Sequence, residues 1–185
     1  MDDWDLSGLG LQVLPEIWGH VNAPGSMWLG WNQIASLPES IGTMTIGRNL
    51  LLNHNRVASL PESIGTMAIG GSLYLNRNQI ASLPESIGTM KIGGGLDLND
   101  NRIASLPASI GTMKIGRDLW LENNQIASLP ASIGTMKIGN LALSHNQLNA
   151  LPATFGNITV GGALYLRSNP RSGSWPKIIA GKQWK

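Results

Sequence analysis

The chain has 185 residues, of which 42% are hydrophobic and only 13% charged, and its formal net charge is +2. This composition excludes a disordered chain, and the length is sufficient for one domain with a sizeable core. Because cysteine is absent, disulfide bonds, thiol catalysis and thiolate metal sites are excluded. The small excess of basic over acidic residues does not indicate nucleic acid, and no apolar run approaches the roughly 18 residues of a membrane span.

The N-terminal segment predicts a cap. Residues Met1–Trp4 are acidic and lack the apolar core of a signal peptide, so we expect a cytoplasmic, intracellular protein. Leu14 and Pro15 keep the register of the repeat that follows. We therefore expect residues 1–26 to form an N-terminal capping repeat in one continuous domain.

A 23-residue repeat occupies most of the chain, from residue 27 to residue 170. The unit reads Leu-x-Leu-x-x-Asn-x-Ile-Ala-Ser-Leu-Pro-x-Ser-Ile-Gly-Thr-Met-x-Ile-Gly-x-x, and one residue is missing before Leu141. The recurring asparagines are Asn32, Asn55, Asn78, Asn101, Asn124, Asn146 and Asn169. A period of this length is typical of solenoids, in which each unit completes its core only by stacking on its neighbours.

Two extended segments are predicted in each repeat. Leu73 and Leu75 are two residues apart, so a strand would turn both inward and Tyr74 outward. We expect strands near residues 27–30, 50–53, 73–76, 96–99, 119–122, 141–144 and 164–167. Met90-x-Ile92 alternates in the same way before glycines, which favours a second extended segment over a helix. The asparagines are predicted to form a buried ladder bonded to main chain, with Asn101 buried and Asn99 exposed.

The motif Leu73-x-Leu75-x-x-Asn78-x-Ile80 resembles the signature of the leucine-rich repeat family. Leu83-Pro84-x-x-Ile87-Gly88 resembles its intracellular, Ras-group type of repeat. The resemblance implies a β-rich solenoid, a right-handed horseshoe of about seven to eight repeats with a parallel concave sheet; the alternation above predicts little regular helix on its convex side. It also implies a non-enzymatic protein that binds a protein partner, without a cofactor.

The strand position between the two leucines varies most among the repeats and often carries an aromatic ring. A conserved scaffold with divergent outward residues is typical of a recognition surface, and aromatic rings are common in binding hot spots. With Glu122 added, the predicted binding residues of the concave face are Trp28, Leu51, Tyr74, Asp97, Trp120, Glu122 and Tyr165. We expect their rings to be exposed, because the leucines already fill the core.

Two other functions are compatible with the sequence. Aromatic residues two repeats apart would lie about 10 Å from each other on a parallel sheet, which suits an extended glycan. The column of Thr43 and its equivalents allows a structural or ice-active solenoid, although no second threonine column accompanies it.

The sequence offers little for catalysis or metal binding. His54 and His145 occupy the same register four repeats apart, roughly 19 Å, and cannot share a triad or a metal. Asp97 and Asp100 could hold a cation, but nearby arginines favour an ordinary salt-bridged surface. After residue 170 the period stops, so residues 171–185, with Trp175 and Trp184, are predicted to cap the last repeat.

Overall fold

The structure, a computed structural model, describes residues 3–170 and then residues 172, 175, 178–179 and 182–183. Its largest element is an eight-stranded parallel sheet with one strand from each repeat. The strands are β1 (Trp4–Asp5), β3 (Met27–Trp28), β5 (Leu50–Leu51), β7 (Leu73–Tyr74), β9 (Leu96–Asp97), β11 (Leu119–Trp120), β13 (Leu141–Ala142) and β15 (Leu164–Tyr165). The seven predicted strands are all present, each shorter than the predicted span.

The register of this sheet is constant from repeat to repeat. Leu73 pairs with Leu50 on one side and with Leu96 on the other, and all three side chains are buried. Leu119 pairs with Leu141 in the same way, although the intervening repeat is one residue shorter. The deletion therefore leaves the concave sheet in register.

A second set of short strands forms the outer wall. They are β2 (Asn22–Ala23), β4 (Thr45–Ile46), β6 (Ala68–Ile69), β8 (Lys91–Ile92), β10 (Lys114–Ile115), β12 (Lys137–Ile138) and β14 (Thr159–Val160). β2 to β10 form a five-stranded sheet, and β12 pairs only with β14. The extended interpretation of Thr-Met-x-Ile is confirmed.

The outer sheet is interrupted where the repeat is one residue short. Gly116 donates its N–H to Ile92 O at 2.9 Å, but the equivalent Gly139 donates to Arg117 O and not to Ile115 O. The missing residue thus displaces the outer hydrogen-bond ladder. This displacement was not predicted from the sequence.

Each repeat also contains one turn of 3-10 helix between its two walls. The turns are Glu16–His20, Glu39–Thr43, Glu62–Thr66, Glu85–Thr89, Ala108–Thr112, Ala131–Thr135 and Ala153–Asn157. Each follows an extended proline, such as Pro61 with φ −70° and ψ 157°. Over the residues described, no α-helix is present, as the alternating pattern predicted; the 3-10 turns themselves were not predicted.

Neighbouring 3-10 turns approach so closely that one position in every turn except the last needs glycine. A Cβ atom on Gly65 would lie 2.3 Å from Ser86 O, and one on Gly88 would lie 2.4 Å from Ser109 O. These contacts are with backbone and cannot relax by rotation of a side chain. The core between the walls is filled by leucine, isoleucine and methionine, with Phe155 as its largest fully buried side chain.

The asparagine ladder is confirmed. Asn101 is 8% exposed; its Nδ2 donates to Leu75 O at 3.0 Å and Leu98 O at 3.1 Å, while its Oδ1 accepts from Ile80 N at 3.0 Å. One side chain therefore bonds main chain of two repeats. The prediction that Asn99 is exposed is wrong: Asn99 is half-buried, because its Oδ1 accepts a 2.7 Å bond from Glu122 N.

Both ends of the core are covered by tryptophan. Trp18 packs against the core near the N-terminus. Trp175 also packs against the core and donates its Nε1–H to Asn149 O at 2.9 Å. Beyond it, β16 (Ile178–Ile179) pairs antiparallel with β17 (Lys182–Gln183). Trp184, predicted to share this cap, lies outside the described residues.

Candidate binding face

The predicted binding residues lie in one outward column of the concave sheet. The register aligns Asp5, Trp28, Leu51, Tyr74, Asp97, Trp120, Ala142 and Tyr165 across eight adjacent strands. Neighbouring strands lie about 4.8 Å apart, so adjacent side chains of this column can contact each other. Glu122 lies two residues after Trp120, where its strand leads into the turn.

The rings of this column differ in exposure. Trp28 is 41% exposed and Tyr165 47% exposed, as predicted. Tyr74 and Trp120 are only partly exposed, and Ala142, between Trp120 and Tyr165, is buried. The prediction of uniformly exposed rings is therefore wrong at the centre of the face.

Trp120 is partly covered because its ring lies over Gly95 of the preceding repeat. A Cβ atom on Gly95 would lie 2.5 Å from Cζ3 of Trp120. The position that precedes Trp28 in the same way is Asp3, whose carboxylate accepts a 2.7 Å bond from Ser26 N. A glycine gives the ring a surface to pack against, whereas a bonded side chain occupies that space.

Gly95 also interrupts a second ladder, which sequence reasoning missed. We define the strand-start column as the residues before each inner strand: Asp3, Ser26, Asn49, Ser72, Gly95, Asp118, Asn140 and Ala163. Ser72 N donates to Asn49 Oδ1 at 2.8 Å, and Gly95 N donates to Ser72 Oγ at 2.9 Å. The series resumes with Asn140 N on Asp118 Oδ1 at 2.6 Å. The sequence signal was a small polar residue that recurs before most of the inner strands.

Asp97 lies between Tyr74 and Trp120 at the centre of the column. Burial raises the pKa of its carboxyl group, and repulsion from Asp100 and Glu122 raises it further, while a 3.0 Å bond from Asn99 N opposes the shift. A half-buried carboxylate between two rings is an acceptor for a basic or hydrogen-bonding group.

A second unpredicted feature runs along the turns that follow the strands. The residue before each ladder asparagine has a positive φ of 54–58°: Trp31, His54, Arg77, Asp100, Asn123, His145 and Ser168. Trp31 stacks on His54, with ring centroids 3.5 Å apart and planes 13° apart. Arg77 lies 3.3 Å from His54 Nε2 and 3.6 Å from the Asp100 carboxylate. We call this series the turn stack, Trp31–His54–Arg77–Asp100.

The turn stack places His54 between residues of the two adjacent repeats. Its ring is covered by Trp31 on one side, and Arg77 can donate to its Nε2. Partial burial lowers the pKa of His54, the positive charge of Arg77 lowers it further, and Asp100 opposes this. A neutral imidazole with Nε2 as acceptor fits these contacts.

The acidic residues of this region do not form a metal site. Asp100 is paired with Arg77, and Asp118 accepts two bonds from Asn140. Within the described part of the chain, no three histidine or carboxylate side chains converge as metal ligands. In the same part, no helix is long and apolar enough to cross a membrane.

Comparisons with solved structures identify the fold of this chain. No protein-family profile and no curated protein matches the sequence. Among solved structures, a leucine-rich repeat protein of Leptospira interrogans is 27% identical, with a TM-score of 0.70 over 86% of this chain and 41% of its own. The leucine-rich repeat domain of a Shigella effector is 22% identical, with a TM-score of 0.66 over 92% of this chain and 70% of its own.

Toll of Drosophila, in its complex with Spätzle, is 22% identical, with a TM-score of 0.68 over 90% of this chain and 24% of its own. This chain therefore spans less than half of the Leptospira protein and about a quarter of Toll. These similarities agree with the 23-residue repeat, the asparagine ladder and the continuous parallel sheet. The chain therefore has the leucine-rich repeat fold.

Proposed function

We propose that this protein is a binding protein and not an enzyme, and that its concave face recognises a protein partner. The observation that carries the proposal is the exposure of Trp28 and Tyr165 on a face whose core is complete without them. Met27 and Leu164 precede these two rings in their strands; Met27 is buried in the core and Leu164 packs against it. An exposed ring gains apolar contact area only when a partner covers it.

The charges of the face support a partner with a basic region at its centre. Asp97 and Glu122 lie close enough for Glu122 to raise the pKa of Asp97, and Asp100 does the same. Residues 1–92 carry four basic and seven acidic groups, whereas residues 93–185 carry nine and four. Complementary charge would orient the partner along the solenoid and speed association more than it adds affinity.

The comparisons support a protein partner at the level of the fold. Toll, a neighbour in structure, is seen in complex with Spätzle, and the Shigella domain belongs to an effector. Neither of these neighbours identifies the partner of this chain.

Glycan binding is the second candidate, and the column offers it less support. A glycan platform needs evenly exposed rings, but the two exposed ones, Trp28 and Tyr165, are six strands apart, about 29 Å. An ice-active surface has still less support. Thr66 Oγ1 donates to Gly42 O at 2.9 Å and to Ser63 O at 2.8 Å, so its hydroxyl proton is engaged within the solenoid.

The test is affinity capture with paired variants. Wild-type protein is compared with the double variant Trp28→Ala/Tyr165→Ala and with Ala68→Ser, which changes an exposed position of the outer wall. We expect the double variant to lose the captured protein and Ala68→Ser to retain it, with both as stable as wild type. Equal capture by the double variant would contradict the proposal, and retention on an insoluble glycan without a captured protein would favour the second candidate.

A further inference from the structure

A small pocket lies at the N-terminal end of the concave face. Its volume is about 310 Å³, and its walls include Trp28, Trp31, Leu51, Asp5 and Asn53. We call it the N-terminal pocket. Pockets that enclose a whole small molecule range from about 300 to 1,000 Å³. This one is at the lower limit, which suits a single side chain better than an extended molecule.

Two indole rings form the apolar walls of the pocket. Trp28 is 41% exposed and Trp31 is 64% exposed. One face of Trp31 is covered by His54, but the equivalent residue of the preceding repeat is Gly8, which has no side chain. A Cβ atom placed on Gly8 would meet no atom within 4 Å, so the space on that side of Trp31 is open.

The polar groups of the pocket include an unpaired carboxylate. Asp5 Oδ1 accepts bonds from Ser7 N at 3.0 Å and from Ser7 Oγ at 2.6 Å, and these bonds lower the pKa of Asp5. Across the described residues, no lysine, arginine or histidine forms an ion pair with Asp5. The amide oxygen of Asn53 would lie 2.9 Å from a Cβ on Gly30, so the missing side chain leaves this second acceptor at the pocket.

We propose that the N-terminal pocket receives an arginine side chain of the protein partner, an inference that rests on the proposed function. A guanidinium group is planar and stacks on indole faces through cation–π attraction. It carries only donors, which match the carboxylate of Asp5 and the amide oxygen of Asn53. The ammonium group of lysine carries the positive charge but is not planar, and a sugar has hydroxyl groups but no charge. Both therefore match the pocket less well than a guanidinium group.

The experiment needs no identified partner. The full chain is titrated with acetyl-arginine N-methylamide, and the indole N–H resonances of Trp28, Trp31 and Trp120 are followed by NMR. We expect the resonances of Trp28 and Trp31 to move saturably and that of Trp120 to stay. Acetyl-citrulline N-methylamide, which has the same shape without the charge, is expected to move none of them.

Two variants test the role of the carboxylate. Asp5→Asn should weaken binding of the arginine derivative by about tenfold, because a charge-assisted bond becomes a neutral one. Glu62→Gln removes an acidic group from the 3-10 turn Glu62–Thr66, which does not line the pocket, and should leave the titration unchanged. An unchanged Trp120 resonance shows that Asp5→Asn is folded.

Four results would overturn the inference: no movement of Trp28 and Trp31, equal binding of the citrulline derivative, unchanged binding by Asp5→Asn, or tighter binding of a lysine derivative or methyl glucoside. Tyr165→Ala separates this inference from the proposed function, since Tyr165 lies far from the pocket. If Tyr165→Ala loses the captured protein while wild type fails the arginine titration, only the pocket is refuted. If the titration succeeds and no protein is captured, the proposed function is refuted, and with it the assignment of the arginine to a protein partner, although the pocket still binds a guanidinium group.

Discussion

Trp28 and Trp120 occupy the same register of the concave sheet, four repeats apart, in different surroundings. Trp28 is 41% exposed and follows Asp3 of the preceding repeat, which is bonded to Ser26. Trp120 is only partly exposed, because its ring lies over Gly95. An outward position on a repeat protein therefore does not by itself make a residue available for binding. For these two tryptophans, the difference lies in the residue one repeat earlier, which is a bonded aspartate before Trp28 and a glycine under Trp120.

The largest effect is expected from breaking the scaffold that both tryptophans share. Asn101→Ala should lower the free energy of unfolding by about 1–3 kcal/mol, because main-chain groups of two repeats lose their partners. Asn99→Ala should cost less, about 0.5–1.5 kcal/mol, since the side chain of Asn99 accepts a single bond, from Glu122 N. Denaturant unfolding measures both free energies, and equal costs would show that the asparagine ladder contributes no more than the single bond of Asn99.

Replacing the two tryptophans separately tests their difference in packing. Trp120→Ala should lower the free energy of unfolding by about 1–2 kcal/mol, because it removes the ring from Gly95. Trp28→Ala should stay within about 0.5 kcal/mol of wild type, as exposed substitutions usually do. Chemical denaturation of both variants under the same conditions measures the two free energies. A larger loss of stability for Trp28→Ala than for Trp120→Ala would contradict the packing of Trp120 on Gly95.

Gly95→Ser is expected to convert the surroundings of Trp120 into those of Trp28. The added Cβ would meet the Trp120 ring at 2.5 Å, so the ring must rotate towards solvent. Fluorine NMR of fluorotryptophan-labelled protein can measure this, with dissolved oxygen as a paramagnetic probe of solvent accessibility. It should show a more accessible Trp120 and an unchanged Trp28. An unchanged Trp120 signal would mean that Gly95 does not control its exposure.

The smallest effect concerns the charge of Asp97 beside Trp120. Its pKa is raised, so ionisation destabilises the folded chain above the ordinary aspartate value of about 3.9. Asp97→Asn should therefore be more stable than wild type at neutral pH, and the difference should shrink as pH falls and the wild-type carboxyl takes up its proton. Thermal unfolding of the two proteins between pH 3 and 7 measures this convergence, and a constant difference would contradict it.

Most of the scaffold was predictable from the sequence because the same pattern of buried and turn residues recurs from repeat to repeat. Alternation in Leu73-x-Leu75 and in Met90-x-Ile92 indicated both extended walls, and the recurring asparagine indicated the ladder. The 3-10 turn after each proline was not predicted, because a segment of five residues is too short for periodicity to distinguish.

The candidate site was predictable in position but not in geometry. The outward column follows from strand alternation, whereas the contact of Trp120 with Gly95 depends on a rotamer. The stack of Trp31 on His54 joins residues 23 positions apart whose shared turn conformation has no distinctive residue type. The break in the outer sheet at Gly139 likewise depends on how the backbone absorbs one missing residue.

Site-specific photocrosslinking tests most directly the claim that the concave face is the binding surface. A photoreactive amino acid is placed either at Leu51, between Trp28 and Tyr74, or at Ala68 on the outer wall. We predict a crosslinked partner from Leu51 and none from Ala68, and loss of the Leu51 product in Trp28→Ala/Tyr165→Ala. A crosslink from Ala68 without one from Leu51 would contradict the account.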